Sequence, residues 1–207
     1  MMLHDPTHLY EGKISPRAER LALVISSLTY PPFLSALAFI VLSLRADDPV
    51  NALVSMILSV STAAIIPTAS IRYYARKFGN EDGDVSRRED RIRPLIVGIT
   101  SYFVGVVSLF VAGAPWVCTV MMMSYATSTI IVLLINTKWK ISVHATGCMG
   151  PATMMAMVYP PWGALLLLLI IPVAWSRYVR RKHTPAQLVG GAVFGSVYTA
   201  LFLAIML

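Results

Sequence analysis

Long apolar runs constrain this chain more than any other feature of its sequence. Seven of them lie at 21–44, 50–71, 95–114, 116–135, 144–159, 162–175 and 188–207. Several approach the ~20 residues that a helix needs to cross the apolar core of a bilayer. A chain of 207 residues that is 57% hydrophobic and only 13% charged is also unlike a soluble domain. The sequence therefore predicts an all-α fold, a polytopic membrane bundle of six or seven transmembrane helices.

The two runs at 144–159 and 162–175 are short, so these segments are tilted, extended into their polar flanks or sunk inside the bundle. Residues 1–20 form a polar N-terminal segment without the pattern of a cleaved signal peptide, and 21–207 form a single membrane domain. Prolines interrupt apolar runs and predict kinked helices, which membrane proteins tolerate when neighbouring groups satisfy the freed carbonyls. They are Pro31 with Pro32, Pro67, Pro151 and Pro172.

A stripe of small residues in the last apolar run predicts close helix packing. It contains Gly190, Gly191 and Gly195. The largest polar stretch, 73–94, contains Ser86 followed three residues later by Glu89. This capping-box pattern predicts a short helix that runs toward Pro94.

Basic residues are distributed unevenly between the two sides of the predicted bundle. If all seven segments cross, only Arg45 of the 17 Lys and Arg residues lies on the side opposite the N-terminus. The bias of Lys and Arg toward the cytoplasm then places the basic face in the cytoplasm, with the protein in the cell membrane. The net charge of +7 does not indicate nucleic acid, because the basic residues flank apolar segments and no soluble domain presents them.

Carboxylates are missing from most of the chain, since none follows Asp90 and none lies in an apolar run. Membrane enzymes that hold Mg²⁺ with paired aspartates in their helices are therefore excluded, because this cation needs oxygen ligands. A proton-coupled transporter with an intramembrane acid is disfavoured for the same reason. Cys118 and Cys148 lie in apolar surroundings and indicate neither a disulfide framework nor a zinc site. We expect no metal and no cofactor.

Two histidines stand at the ends of apolar runs, each among polar and cationic neighbours. His144 lies near Lys140, Ser142 and Thr146, and His183 follows a cluster of four cations. A lone histidine at a helix end is usually structural, but these neighbours favour a phosphate site, because arginine grips two phosphate oxygens at once. Two histidines beside a phosphate can supply a nucleophile and a general acid.

Three clusters, in order and spacing, resemble the signature of the type 2 phosphatidic acid phosphatase family, which is related to vanadium haloperoxidases. That signature has a basic residue and six others before Arg-Pro, then Pro-Ser-Gly-His, then Ser-Arg, five residues, His, three residues and Asp. The resemblance covers 87–191, about half of the chain. The residues that match are Arg93 with Pro94, Ser142 with His144, and Ser176, Arg177 and His183.

The resemblance implies a metal-independent membrane hydrolase that acts on lipid monophosphates or diphosphates, such as polyprenyl phosphates or phosphatidate-like lipids. It implies that His183 attacks phosphorus and forms a phosphohistidine, and that His144 protonates the leaving group. Membrane lipids and the lipid phosphate substrate are the expected partners. The candidate phosphate-binding residues are Arg87, Arg88, Arg91, Arg93, Lys140, Ser142 and Arg177.

Three departures from the family pattern matter most. The basic residue expected before Arg93 is Ser86, so its role passes to Arg87 or Arg88, or Arg91 reshapes the motif. The glycine of the second motif is Val143, which removes a close backbone approach to the phosphate.

The third departure is Gln187, which replaces the last aspartate of the signature. It lies one helical turn after His183 and can orient the imidazole without adding charge. We expect either slower chemistry or a carboxylate borrowed from 81–90. The alternatives are an inactive relative, or a non-catalytic membrane protein that binds or moves anionic lipids through the same basic face.

Overall fold

The computed structural model describes residues 13–79, 85 and 87–207, and all regular structure in these ranges is helical. The prediction of an all-α fold is confirmed. The helices are α1 Pro16–Leu28, α2 Pro31–Ser43, α3 Pro49–Lys77, α4 Glu89–Val111, α5 Trp116–Asn136, α6 Val143–Val158, α7 Trp162–Val179 and α8 Pro185–Met206.

Five helices are long and apolar enough to cross a membrane, namely α3, α4, α5, α7 and α8. A sixth span results if α1 and α2, which are bent by 41° at the break before Pro31, count as one. The described residues thus form a helical membrane bundle with five or six spans. The run predicted at 144–159 forms α6, which has only 16 residues, and every residue of 148–155 is buried. Of the three alternatives for this run, a helix sunk in the protein interior agrees with the structure.

Side-chain polarity is distributed as expected for a protein in lipid. Large apolar side chains point outward, with Phe110 69% exposed and Ile205 82% exposed. Polar side chains are enclosed, and Ser55 and Ser59 of α3 are fully buried. Helix contacts in membranes favour small and hydroxyl side chains because these residues permit close backbone approach and interhelical hydrogen bonds.

The chain divides into two compact units. The first consists of Met1–Leu34 and Lys138–Leu201, so among the described residues it contains α1, α6, α7 and most of α8. The second consists of Ser35–Thr137 and Phe202–Leu207, and it contains α3, α4 and α5.

In the second unit, α3 accommodates Pro67 by a π-helical turn over Ser61–Ile65. The N–H of Ile66 donates to Ser61 O, five residues back, so it no longer reaches Thr62 O. The next residue, Pro67, has no N–H to offer. The Ser101 hydroxyl of α4 donates to Thr62 O at 2.7 Å. A neighbouring helix therefore satisfies the carbonyl that the proline leaves free, as the sequence predicts.

The first turn of α4 differs from the sequence prediction. The structure has no separate short helix before Pro94 in its described residues; a 3-10 turn at Glu89–Arg91 continues directly into the long helix. Pro94 lies in the first turn of the α-helical part, where backbone N–H groups have no intrahelical partner, so it does not end the helix. Ser86, the predicted cap, lies outside the described residues.

Replacing Ser101 by Ala should destabilise the protein by about 1–3 kcal/mol, because Thr62 O would remain buried without a donor. The measurement is thermal unfolding of the purified protein in detergent. Ser108→Ala is the matched control on α4, since the hydroxyl of the half-buried Ser108 donates to Val104 O of its own helix. Equal melting temperatures for the two variants would contradict this account of the π-helical turn.

Candidate functional site

In the first unit, α6 and α8 pack in parallel and in close contact. Ser142 N donates to Gln187 O at 3.3 Å, and one turn further along both helices Thr146 Oγ1 donates to Gly191 O at 3.1 Å. A Cβ atom on Gly191 would lie 2.5 Å from Ser142 O, and one on Gly195 would lie 2.7 Å from Thr146 O. The predicted small-residue stripe is thus the surface that α8 presents to α6. The N-terminal ends of both helices consequently meet.

His183 and Gln187 lie at the start of α8, where Thr184 and Gln187 form a reciprocal capping box. Gln187 N donates to Thr184 Oγ1 at 3.0 Å, and Thr184 N donates to Gln187 Oε1 at 3.2 Å. Pro185 follows Thr184 and occupies the first helical position, where its fixed φ suits a helix start. The same Oε1 lies 3.1 Å from His183 Nδ1. Three hydrogen bonds therefore fix the imidazole relative to the helix end.

This capping box also determines the tautomer of His183. A backbone N–H only donates, so the side-chain atom that faces Thr184 N is the amide oxygen of Gln187. An acceptor opposite His183 Nδ1 requires Nδ1 to carry the proton when the ring is neutral. The lone pair of the neutral ring is then on Nε2. Gln187 thus fixes the ring of His183 and leaves Nε2 unprotonated in the neutral form, although it supplies no negative charge.

The start of α6 carries the second motif. Ser142 is the N-cap residue, is fully buried, and accepts from Ala145 N at 3.3 Å. His144 follows in the first turn, is 93% buried, and lies against the tilted ring of Tyr30, with 5.9 Å between ring centroids. Lys140, just before this helix, is also buried. Trp139 fixes the preceding segment by packing against Gly190 of α8.

Arg177 lies near the end of α7 and is 1% exposed. Its Nη1 donates to Ser26 Oγ of α1 at 3.0 Å, and Arg180 Nη1 donates to the same oxygen at 3.3 Å. No carboxylate follows Asp90, so α6, α7 and α8 have only cationic and neutral polar side chains. The polar interior of this unit is therefore suited to an anion.

A Schellman motif explains the five-residue spacing between Arg177 and His183. Lys182 N donates to Arg177 O at 3.0 Å, and Arg181 N donates to Tyr178 O at 2.9 Å. Arg181 has a φ of 55°, the left-handed conformation in which glycine is usual. This compact turn ends α7 and leads directly into His183 and the capping box of α8.

The four arginines of the first motif lie in the second unit, around the start of α4. Arg91 is the buried one, and its Nε donates to Val85 O at 2.9 Å. Arg88 pairs with Glu89 at 3.3 Å, and its carbonyl accepts from Asn136 Nδ2.

The two outer arginines of this motif are more exposed. Arg87 lies 4.0 Å from Asp90, whereas Arg93 is exposed on α4. The described carboxylates of 81–90 thus pair with neighbouring arginines, and Glu81, Asp82 and Asp84 lie outside the described residues.

Comparisons with known proteins find no matching protein-family model, no similar curated protein and no similar solved structure. Within the described residues, no group of three or more His, Cys, Asp or Glu side chains is placed to hold a metal ion. Both cysteines are buried and free.

Sequence reasoning missed several residues that contact the predicted site. The Thr184 capping box has a signal that could have been recognised, namely Thr, then Pro, then Gln three residues after the Thr. Ser26 and Tyr30 of the α1 region have no such signal, because only packing brings them to Arg177 and His144. Arg180 is one of several adjacent cations, and the sequence alone does not distinguish it from the others.

Gln187→Leu should remove the acceptor that keeps the proton of neutral His183 on Nδ1. It should also lower the free energy of unfolding by about 1 kcal/mol, because one capping bond is lost. Nitrogen-15 NMR of histidine-labelled protein in detergent micelles reports the tautomer. Gln187→Glu is the control, since its carboxylate can still accept from both Thr184 N and His183 Nδ1. A neutral His183 that keeps the Nδ1–H form in the Leu variant would contradict the assignment.

Proposed function

We propose that this chain is an integral membrane phosphatase that hydrolyses a lipid phosphate without a metal, through a phosphohistidine on His183. The observation that carries the proposal is the contact between Gln187 Oε1 and His183 Nδ1, which leaves Nε2 as the nucleophilic nitrogen. Similarity of the motif residues to the type 2 phosphatidic acid phosphatase signature supports it independently of this geometry. The first step is attack of Nε2 on phosphorus.

In this step a P–N bond forms and the bond between phosphorus and the ester oxygen of the lipid breaks. The leaving oxygen takes a proton from His144, so the lipid departs as an alcohol when the substrate is a monophosphate. In the second step water attacks the phosphohistidine, His144 accepts the water proton, and the P–N bond breaks. Inorganic phosphate leaves and both imidazoles return to their starting state.

Charge stabilisation in this mechanism comes from cations already held in place. Lys140 and Arg177 are buried and lie four and six residues before His144 and His183 in the sequence, and Ser142 offers a hydroxyl group at the start of α6. Preorganised donors of this kind stabilise the charge that develops on the oxygens around phosphorus. The arginines at 87, 88, 91 and 93 are further candidates for this role, on the strength of the motif resemblance alone.

The substrate class follows from the membrane character of the chain. Exposed apolar side chains on the helices provide a surface that suits a lipid tail, and the polar side chains of the motif residues suit its phosphate. Polyprenyl phosphates, phosphatidate-like lipids and lysolipid phosphates all satisfy these requirements. We favour a polyprenyl substrate, because a protein composed mainly of membrane helices accommodates a long tail.

Purified protein should release phosphate from a panel of prenyl and glycerolipid phosphates in the presence of EDTA. His183→Ala should reduce this release by at least about 1,000-fold, because the nucleophile is absent. Phosphate release is measured colorimetrically, and thermal unfolding verifies that the variant remains folded. Activity that requires a divalent metal, or that survives in His183→Ala, would refute the mechanism. No release from any lipid would favour a protein that binds or moves anionic lipids.

His144→Ala distinguishes the two histidine roles within the same assay. An alkyl ester needs a proton on its leaving oxygen, whereas an aryl phosphate such as p-nitrophenyl phosphate leaves readily without one. The variant should therefore lose far more activity on the alkyl than on the aryl substrate, while His183→Ala loses both. If His144→Ala lost the same fraction of activity on both substrates, the role of His144 as the general acid would be contradicted.

We also propose that the basic face lies in the cytoplasm, on the basis of its Lys and Arg residues. A single cysteine at the exposed Lys138 should resist a membrane-impermeant maleimide added to intact cells and react after the cells are opened. The native Cys118 and Cys148 are both buried and serve as the internal control in the unmodified protein. Labelling of Lys138→Cys in intact cells would show that the basic face lies outside the cell.

A further inference from the structure

The strongest feature outside the motif is the convergence of two guanidinium groups on one hydroxyl. Arg177 Nη1 and Arg180 Nη1 both donate to Ser26 Oγ, at 3.0 and 3.3 Å. The two nitrogens are consequently within about 6 Å of each other, since each lies within hydrogen-bond distance of the same oxygen. Ser26 belongs to α1, far from the motif in sequence, and is 4% exposed.

Helix geometry explains why these two arginines act together. Residues three positions apart share one face of a helix, so Arg177 and Arg180 project from α7 toward α1 side by side. Two like charges at this separation repel each other, and the repulsion is stronger where protein excludes water. Oxygen acceptors placed between the two groups reduce that repulsion. The Ser26 oxygen is one such acceptor, and it holds the pair at a defined spacing.

This arrangement presents hydrogen-bond donors of the kind that an oxyanion uses. A serine oxygen has two lone pairs, and the two guanidinium groups occupy both, which leaves the hydroxyl proton for a further acceptor. Each guanidinium carries N–H donors in a planar fork that matches phosphate oxygens, and one donor of each contacts Ser26. The described residues of this unit contain a single carboxylate, Glu19, which is exposed. A phosphate group, with several oxygens and two negative charges, matches these donors.

We propose that Arg180 is a second phosphate-binding arginine beside Arg177, and that Ser26 is the positioning residue that holds both guanidinium groups for the same phosphate. This inference deepens the proposed function and rests on it for its effect on turnover. Its binding component is independent of turnover. It also assigns a role to α1, which lies outside the motif-bearing region 87–191.

The first test measures binding of orthovanadate to the purified full-length protein by isothermal titration calorimetry. Arg180→Gln should weaken vanadate binding by about 10- to 100-fold, the effect of losing hydrogen bonds to a charged group. Arg180→Lys should recover only part of the loss, because a lysine lacks the planar fork. The control is Arg20→Gln, which removes an equal charge from an exposed position on α1. Vanadate binding that is unchanged in Arg180→Gln would overturn the proposal.

Ser26 is tested through variants that separate its hydroxyl from its packing. Ser26→Ala should weaken vanadate binding by about 10-fold, whereas Ser26→Thr, which keeps the hydroxyl, should restore it. Ser27→Ala is the matched control, because the exposed Ser27 hydroxyl donates to Leu23 O of its own helix. If the Thr variant binds as weakly as the Ala variant, Ser26 acts through packing and the positioning role is wrong.

Turnover assays on the same variants separate this inference from the proposed function. If the wild-type protein hydrolyses a lipid phosphate, Arg180→Gln should raise KM or lower kcat, and unchanged kinetics would refute the role of Arg180. If the wild-type protein binds vanadate but hydrolyses no lipid, the enzymatic proposal fails. Weakened binding in Arg180→Gln would then still support the two-arginine anion site.

Discussion

Close parallel packing of α6 against α8 is the contact on which the candidate site depends. Gly191 and Gly195 lie so near the carbonyls of Ser142 and Thr146 that a Cβ atom at either position would clash with the backbone of α6. Only because these glycines allow the approach can Ser142 N reach Gln187 O. The contact places two helix starts together, and each start carries one motif histidine. Helix N-termini provide backbone N–H groups that also favour a bound anion.

Local hydrogen bonding at these helix starts performs two tasks with the same atoms. Gln187 Oε1 caps α8 through Thr184 N and fixes His183 through Nδ1. A capping residue is held rigidly by the helix that it caps, so the imidazole takes its orientation from the fold rather than from a mobile side chain. The amide also avoids placing a further charge in a site that is 98% buried at Gln187, where charges are costly. Gln187 therefore orients His183 through a neutral acceptor.

The membrane environment explains why polar contacts recur between helices. Where Pro67 disrupts the ladder of α3, the chain cannot use water inside a bilayer, and the Ser101 hydroxyl satisfies Thr62 O instead. The same principle governs Ser26, which satisfies donors from Arg177 and Arg180. The buried Ser101 and Ser26 hydroxyls thus connect helices, whereas the exposed Ser27 hydroxyl bonds to its own helix.

The sequence by itself determined that the chain is a helical membrane bundle, because the length and apolarity of its runs leave no other arrangement that satisfies every backbone group in lipid. It also predicted the small-residue stripe that packs closely at Gly191. It did not determine that the 144–159 run would be a short, buried helix, since length and hydropathy do not report which helix is enclosed by the others.

Tertiary structure alone decided which residues from distant parts of the chain join the site. Nothing in the sequence distinguishes Ser26 from the other serines, and it joins the site only because α1 packs against α7. Tyr30 contacts His144 through packing of the same kind. Arg180 differs from its neighbours Arg181 and Lys182 in that it is the C-cap residue of α7 and reaches Ser26. The physical reason is that sequence patterns report local periodicity, whereas these contacts depend on how helices far apart in the chain pack together.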